Sequence, residues 1–418
     1  MRSDREILYV DMNSFYASVE GMLNPSLQGK SFAVCGSTEE RRGIILAKSD
    51  PAKKCGVKTG MAKWDAERHC PNLIMVPPQY DEYRKYGLLK NRECEAFTDL
   101  VEPLGWDECA MDVTGSRRLF GTGYEIADTI RKNLKEKYNL TASIGVSFSK
   151  IIAKLASDMK KPDAITVIDR DHLEDIVWPL PITDMCFVGF STANLLMQCG
   201  INKLGDLAHA TPERLQRLLG KNGLMLWRWV NGDDNDPVLH KDAVSPIKSL
   251  GHSSTCISDL VDNEEVWKCL LDLSQDLGYR LRVNRLAARG VQVMVRDSAM
   301  EFKQFQGMLT THTQSPFLLA EKGMELFKRN YRWKKEVRAL SIRAIQVVPK
   351  STPQQFDMFY SAEKIKRQED LDDAIYDLRR RFGNQAVYSA TLMGDHKMPA
   401  SSVQDTYMPG PMSRQMKG

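Results

Sequence analysis

The chain has no run of about 18 or more apolar residues, the length a membrane-crossing helix needs. No secretory hydrophobic region follows its charged start, MRSDREILYV. Both absences point to a cytoplasmic protein without a membrane partner. Cysteine pairing is missing too. The nine Cys are scattered singly, none in a CxxC pair, and their number is odd. A disulfide frame or zinc ribbon is therefore disfavoured, and reduced thiols are expected. Strong net charge is also lacking, at +4 overall. The charge is unevenly spread, however. Residues 247–350 hold 17 Lys and Arg against 11 Asp and Glu, an excess of six. A basic C-terminal region suggests a polyanionic partner, although a merely solvated charged surface would read the same way.

A length of 418 residues exceeds one ordinary core, so roughly two to four domains are expected. Hydrophobic content of 42% and charged content of 27% are those of a globular protein. In the first 170 residues, short β-branched runs at 7–12, 31–36, 43–47, 108–113, 142–148 and 164–168 read as strands. Segments 82–100 and 124–139 read as helices, the second with Ile126, Ile130 and Leu134 on one apolar face. A compact helical stretch follows at 171–231. Within it, 187–210 reads as two helical segments around Gly-containing turns, a helix–hairpin–helix able to hold a phosphate on backbone amides. An ordinary helical corner is the competing reading. The Asp- and Pro-rich stretch 232–246 has linker composition. Residues 247–348 alternate strand, helix, strand, strand, helix, strand, with Val266, Cys269, Leu270, Leu273 and Leu277 as a buried stripe. Past 350, one charged helix (361–382) and a polar, mostly disordered tail are expected.

Chemistry concentrates where strands meet acids. The run ILYVDM leads directly into NSFYASVE, placing Asp11 at the mouth of a buried strand, suited to a hard cation. Asp107 and Glu108 head a second apolar strand. Carboxylates from neighbouring strands are what two Mg²⁺ ions on a triphosphate require. Neighbouring side chains on a regular strand point to opposite faces, so both acids can serve one site only if the strand twists or begins there. Taken singly, each acid reads more readily as a cap or surface carboxylate.

Four motifs then stand together: VDMNSFYASVE (10–20), GWDECAMDVT (105–114), SFSKIIAKLASDMKKP (147–162) and KSLGHSSTC (248–256). In order and spacing they resemble those of Y-family translesion DNA polymerases of the DinB type, the bacterial polymerase IV group. The resemblance implies an α+β multidomain right-hand polymerase. It divides the chain into palm (1–30 and 72–170), fingers (31–71), helix–hairpin–helix thumb (171–231), linker (232–246) and a βαββαβ little finger (247–350). A clamp-binding peptide and tail (351–418) complete it.

The resemblance also implies residue roles. Asp11, Asp107 and Glu108 become catalytic metal carboxylates, with the Met12 carbonyl as a further ligand of two Mg²⁺ ions and dNTP as substrate. Tyr16, preceded by Phe15, falls at the steric gate against a ribose 2′-hydroxyl; without the resemblance it reads as a core aromatic. Lys161 matches the triphosphate lysine. Where the family has a Tyr and an Arg gripping the triphosphate, this chain has Asp50 and Lys53, with Lys48 nearby to compensate and Leu46 over the templating base. Gly189, Lys248 and Ser249 fall at DNA-backbone contacts. Gln355, Phe356, Met358 and Phe359 resemble a sliding-clamp peptide. The implied function is low-fidelity, template-directed DNA synthesis in lesion bypass by a monomer bound to primer-template DNA and clamp. The alternative is a catalytically weak DNA- and clamp-binding accessory protein with a degenerate nucleotide pocket, which Asp50 and Lys53 keep open; a palm-type nucleotidyl cyclase is more distant.

Overall fold

The computed structural model describes residues 5–36, 41, 43–244, 246–353, 362–383, 386–394 and 397–399. The chain forms two compact units, divided near residue 245, with residues 36–44 grouped with the second.

The first unit is built on a five-stranded sheet in the order Val101–Pro103, Glu108–Asp112, Ile7–Met12, Ala142–Ser147, Ile165–Ile168. The central strand Ile7–Met12 runs antiparallel to both neighbours, and all six of its residues are buried. Its alternation assigns the two faces. Leu8 and Val10 pack with Ile126, Ile130 and Leu134 of the helix Gly123–Tyr138, and with Cys94 of the helix Tyr80–Glu95. Ile7 and Tyr9 pack with Ala110 and with Ala153 of the helix Lys150–Met159. Asp11 has the parity of Ile7 and Tyr9, so it belongs to the face covered by Lys150–Met159. That helix lies unusually close to the sheet. A Cβ on Gly145 would come within 1.9 Å of the Ala153 carbonyl oxygen, so only glycine permits the approach.

A smaller sheet, Ile45–Lys48, Phe32–Cys35, Ile74–Val76, carries the short helices Asp50–Lys54 and Lys63–His69. Helices between Leu173 and Val230 share an apolar core that includes Leu196, Leu204, Leu215 and Leu226 and takes in Ile152 and Leu155 of the helix Lys150–Met159. The linker-like segment after them is strapped down over much of its length. Arg5 donates to the carbonyls of Asp234 and Asp236, Lys150 to that of Pro237, and Glu102 accepts from the Leu239 amide. Its backbone is thus held by Arg5, Glu102 and Lys150, and Val238 is buried.

In the second unit, strands Ser249–Leu260, Leu286–Asp297, Phe302–Thr313 and Val337–Ile345 alternate with helices Asn263–Val283 and Pro316–Asn330 in the expected βαββαβ order. The sheet is wholly antiparallel. The tail differs from expectation. The helix Ala362–Phe382 is tied to Asn263–Val283 by Arg282–Asp373 and by Arg379 on Gln275. Beyond it the chain folds back, burying Leu392 and Met398, and the Cys269 thiol donates to the Met398 sulfur. Those two apolar side chains, set in a polar stretch, supply anchors that composition alone obscures. Gln355, Phe356, Met358 and Phe359 lie outside the described residues.

Candidate active site

Asp11 and Glu108 face each other as paired residues on adjacent strands. The strand carrying Glu108 begins at that residue, and Asp107 precedes it. The Met12 amide donates to the Asp107 carbonyl at 3.0 Å, tying the segment ahead of the strand to the end of the central one. Strand geometry therefore does not force Asp107 to the opposite face; it sits on the turn into the sheet.

Two lysines reach these acids. Lys154 Nζ lies 2.7 Å from Asp11 Oδ2 and 2.6 Å from Glu108 Oε1, and Lys161 Nζ lies 2.9 Å from Asp11 Oδ2. Tyr9 adds a hydroxyl donor to Glu108 Oε2 at 2.6 Å. Burial pushes the Glu108 carboxyl upward, but Lys154 more than offsets it and leaves it below its ordinary range. Asp107 goes the other way. Burial, then the like charge of Glu108, raise its carboxyl above the usual range. Burial lowers the Lys154 ammonium, and the Asp11 and Glu108 charges outweigh that, so it is held firmly protonated. Among the described residues no three His, Cys, Asp or Glu side chains form a ready-made metal cage. Asp11 and Glu108 converge on an ammonium instead.

Lys154 was not legible in the sequence. Periodicity makes it one more helical lysine, 143 residues from Asp11, and only the Gly145 contact brings its helix within reach. Lys161 is placed by Asn13, which accepts from the Asp163 amide and donates to Ser143 Oγ. This fixes the turn after the helix beside Asp11.

Tyr16 is half-buried and stacks on Tyr83 at 4.1 Å and 9°, with Trp106 and Tyr80 at 6.3 and 6.4 Å. Phe15 is buried beside it, in the core that includes Met12 and Tyr83, and Leu46 packs against that core. Burial, then the negative charge of Asp107, raises the Tyr16 phenol. Lys48 ends the strand Ile45–Lys48 and donates to Thr59 at 2.9 Å; burial, then Lys53, lowers its ammonium. Asp50 and Lys53 are exposed on the helix Asp50–Lys54, capped by Ser49. Asp50 stands in its first turn, where an acid suits the helix dipole.

Gly189 is the N-cap of the helix Phe190–Gln198 with open space around it, and Phe187 and Phe190 beside it are exposed. In the second unit Lys248 is exposed and Ser249 accepts from Arg343 at 3.1 Å. No helix among the described residues is long and apolar enough to cross a membrane.

The chain matches the impB/mucB/samB family over residues 10–158 and the C-terminal domain of that family over 247–358. It is 41% identical to a DNA polymerase IV of Acetivibrio thermocellus, covering 94% of this chain and 98% of the relative. A DNA polymerase IV 1 of Bacillus subtilis is 36% identical, with 92% of each chain covered. A solved Y-family DNA polymerase chimera superposes with a TM-score of 0.72 at 24% identity, over 82% of this chain and 99% of the other, and shares its fold.

Proposed function

The chain belongs to the impB/mucB/samB family and is a Y-family, DNA-directed DNA polymerase of translesion synthesis; on that premise we propose how its own residues carry the reaction. Deoxynucleotide substrate, primer-template DNA and dependence on a divalent metal follow from the family. The finer assignment is a two-metal site in which Asp11, Asp107, Glu108 and the Met12 carbonyl hold two Mg²⁺ ions. Bound there, the ions would activate the primer 3′-hydroxyl and neutralise the leaving pyrophosphate. Hard oxygen donors suit Mg²⁺. The observation that carries the assignment is the convergence of Asp11 and Glu108 on the Lys154 ammonium, a stand-in cation at 2.7 and 2.6 Å.

Lys161 would turn from Asp11 to phosphate oxygens, serving as a mobile point charge. Lys48 and Lys53 would reach the same triphosphate, without the bidentate fork an arginine offers. The Tyr16 ring, backed by Tyr83 and by buried Phe15, would lie under the incoming sugar and collide with a 2′-hydroxyl. Gly189, Lys248 and Ser249 would touch DNA backbone, which suits an enzyme that must accept any sequence. Gln355, Phe356, Met358 and Phe359 would dock on a sliding clamp and raise the effective concentration of a cytoplasmic, monomeric enzyme at the primer end. To test the core assignment, Asp11, Asp107 and Glu108 are each changed to Ala. Primer extension should vanish in all three while primer-template affinity stays near wild type. Extension at the wild-type rate by any one of them removes that residue from the site.

A further inference from the structure

Glu20 is an acid that the reaction outlined above does not use. It is 1% exposed, on the helix Phe15–Leu23, whose other buried residues, Phe15, Ala17 and Val19, are apolar. A buried carboxyl is costly unless its oxygens are hydrogen-bonded. Both of these are taken. Oε1 accepts from the Tyr83 hydroxyl, and Oε2 accepts from the Gln79 side-chain amide at 2.7 Å. Burial, then the bond to Glu20, raises the Tyr83 phenol, so its hydroxyl keeps the proton it donates.

Tyr83 is 0% exposed, and its ring is the one stacked on Tyr16 at 4.1 Å and 9°. Tyr16 and Glu20 lie four residues apart, one above the other on the same helix face. Tyr83 bridges that turn, its ring flat against Tyr16 and its hydroxyl on Glu20. Tyr80 stands edge-on to both rings, 6.4 Å from Tyr16 and 5.9 Å from Tyr83. The helix that carries Tyr83 is itself fixed one turn further on. There a Cβ on Gly87 would come within 2.7 Å of the Trp106 carbonyl oxygen. The Tyr83 ring is thus held at its hydroxyl, at its edge and through its helix.

We propose that Glu20 is a positioning residue for sugar discrimination: by pinning the Tyr83 hydroxyl it stops the ring behind Tyr16 from receding, and so fixes how closely Tyr16 meets the 2′ position of an incoming nucleotide. This rests on the reading of Tyr16 as the steric gate. A gate rejects ribose only if the ring that the 2′-hydroxyl meets does not give way. Steric repulsion is steep, so even a small retreat of the ring admits the extra oxygen. Tyr16 is half-buried and borrows its rigidity from the ring it is stacked on. Glu20 is sealed from substrate and acts only through Tyr83 and Tyr16.

The test is single-nucleotide insertion by the full-length protein on primer-template, comparing kcat/KM for a ribonucleotide with that for its deoxynucleotide. Glu20→Leu removes the acceptor and keeps the bulk, whereas Tyr83→Phe keeps the ring and removes the donor. Each should raise the ribonucleotide-to-deoxynucleotide ratio by about threefold or more, the low end of the coupling between residues in contact. In a Tyr16→Ala background neither should raise the ratio further, because no ring is left to position. The double variant Glu20→Leu, Tyr83→Phe removes both partners of the buried bond, and exposed Gln79 can turn to water. It should show the raised ratio with a melting temperature no lower than either single variant. An unchanged ratio in either single variant, with Tyr16→Ala raising it, overturns the proposal and leaves the gate standing. An equal rise from Glu20→Leu with and without Tyr16 overturns it too, since Glu20 would then act by another route. If Tyr16→Ala itself leaves the ratio unchanged, the gate reading falls and the proposal with it.

Discussion

Tyr16 is held between two roles that a single substitution distinguishes. Its ring stacks on Tyr83, so it contributes to packing, but it stays half-buried with Asp107 close enough to raise its phenol. Tyr16→Ala should raise ribonucleotide incorporation relative to deoxynucleotide by about tenfold or more, since one steric contact at a discriminating pocket is worth ~1–3 kcal/mol. Single-nucleotide insertion kinetics with both sugars check this, and an unchanged ratio makes Tyr16 a core residue only. At this scale the sequence exposed the acids and concealed the bases. Asp11, Asp107 and Glu108 stand out because an acid at the mouth of an apolar strand breaks the local pattern. Lys154 sits on an amphipathic helix, where lysine is the ordinary solvated residue, and its significance depends on contacts distant in sequence. Asp50, a departure from the family's pattern in the sequence, also suits the start of its own short helix.

At the scale of elements, two contacts hold the site's supports in place. Glu93, on the helix Tyr80–Glu95, receives Lys137 at 2.8 Å and Tyr138 at 2.9 Å from the helix Gly123–Tyr138. Burial raises its carboxyl, and these donors more than reverse that, so its folded pKa lies below the unfolded value. The pair therefore stabilises the fold above the ordinary glutamate range, and the contribution is lost as pH falls below about 4.3 toward the folded pKa. Glu93→Gln should cost about 1–3 kcal/mol at neutral pH, and the gap from wild type should narrow in acid, as denaturant titrations at several pH values will read. A gap independent of pH would mean the ion pair contributes nothing. Gly145 is the second contact. Gly145→Ala must push the helix Lys150–Met159 away from the sheet, at about 1–3 kcal/mol of overpacking, and so withdraw Lys154 from Asp11. Melting and primer extension should both fall; a variant with wild-type values for both would show that the backbone yields without moving the helix. Long, periodic elements were legible from sequence, and the βαββαβ order followed from them. The strands Ile74–Val76 and Val101–Pro103 were not, because three residues are too few to display a period.

For the whole molecule, the basic excess in residues 247–350 predicts how DNA is held. Affinity should fall steeply with salt, log K against log salt being linear with a slope set by the phosphates contacted, and should vary little with sequence. A binding titration over several salt concentrations on two unrelated duplexes measures both; strong sequence preference would contradict backbone recognition. Composition was least informative about the connections. The 232–246 stretch and the tail after 382 are both polar, yet Val238, Leu392 and Met398 fix them through a few buried side chains. The measurement that bears most directly on the account is primer extension by the wild-type protein in Mg²⁺, with each dNTP offered singly, on undamaged template and on one carrying a single lesion. Addition of the complementary nucleotide on undamaged template, and product extending past the lesion, is the predicted result. A protein that binds both templates but adds no nucleotide to either would contradict it, and would leave an accessory DNA-binding role in its place.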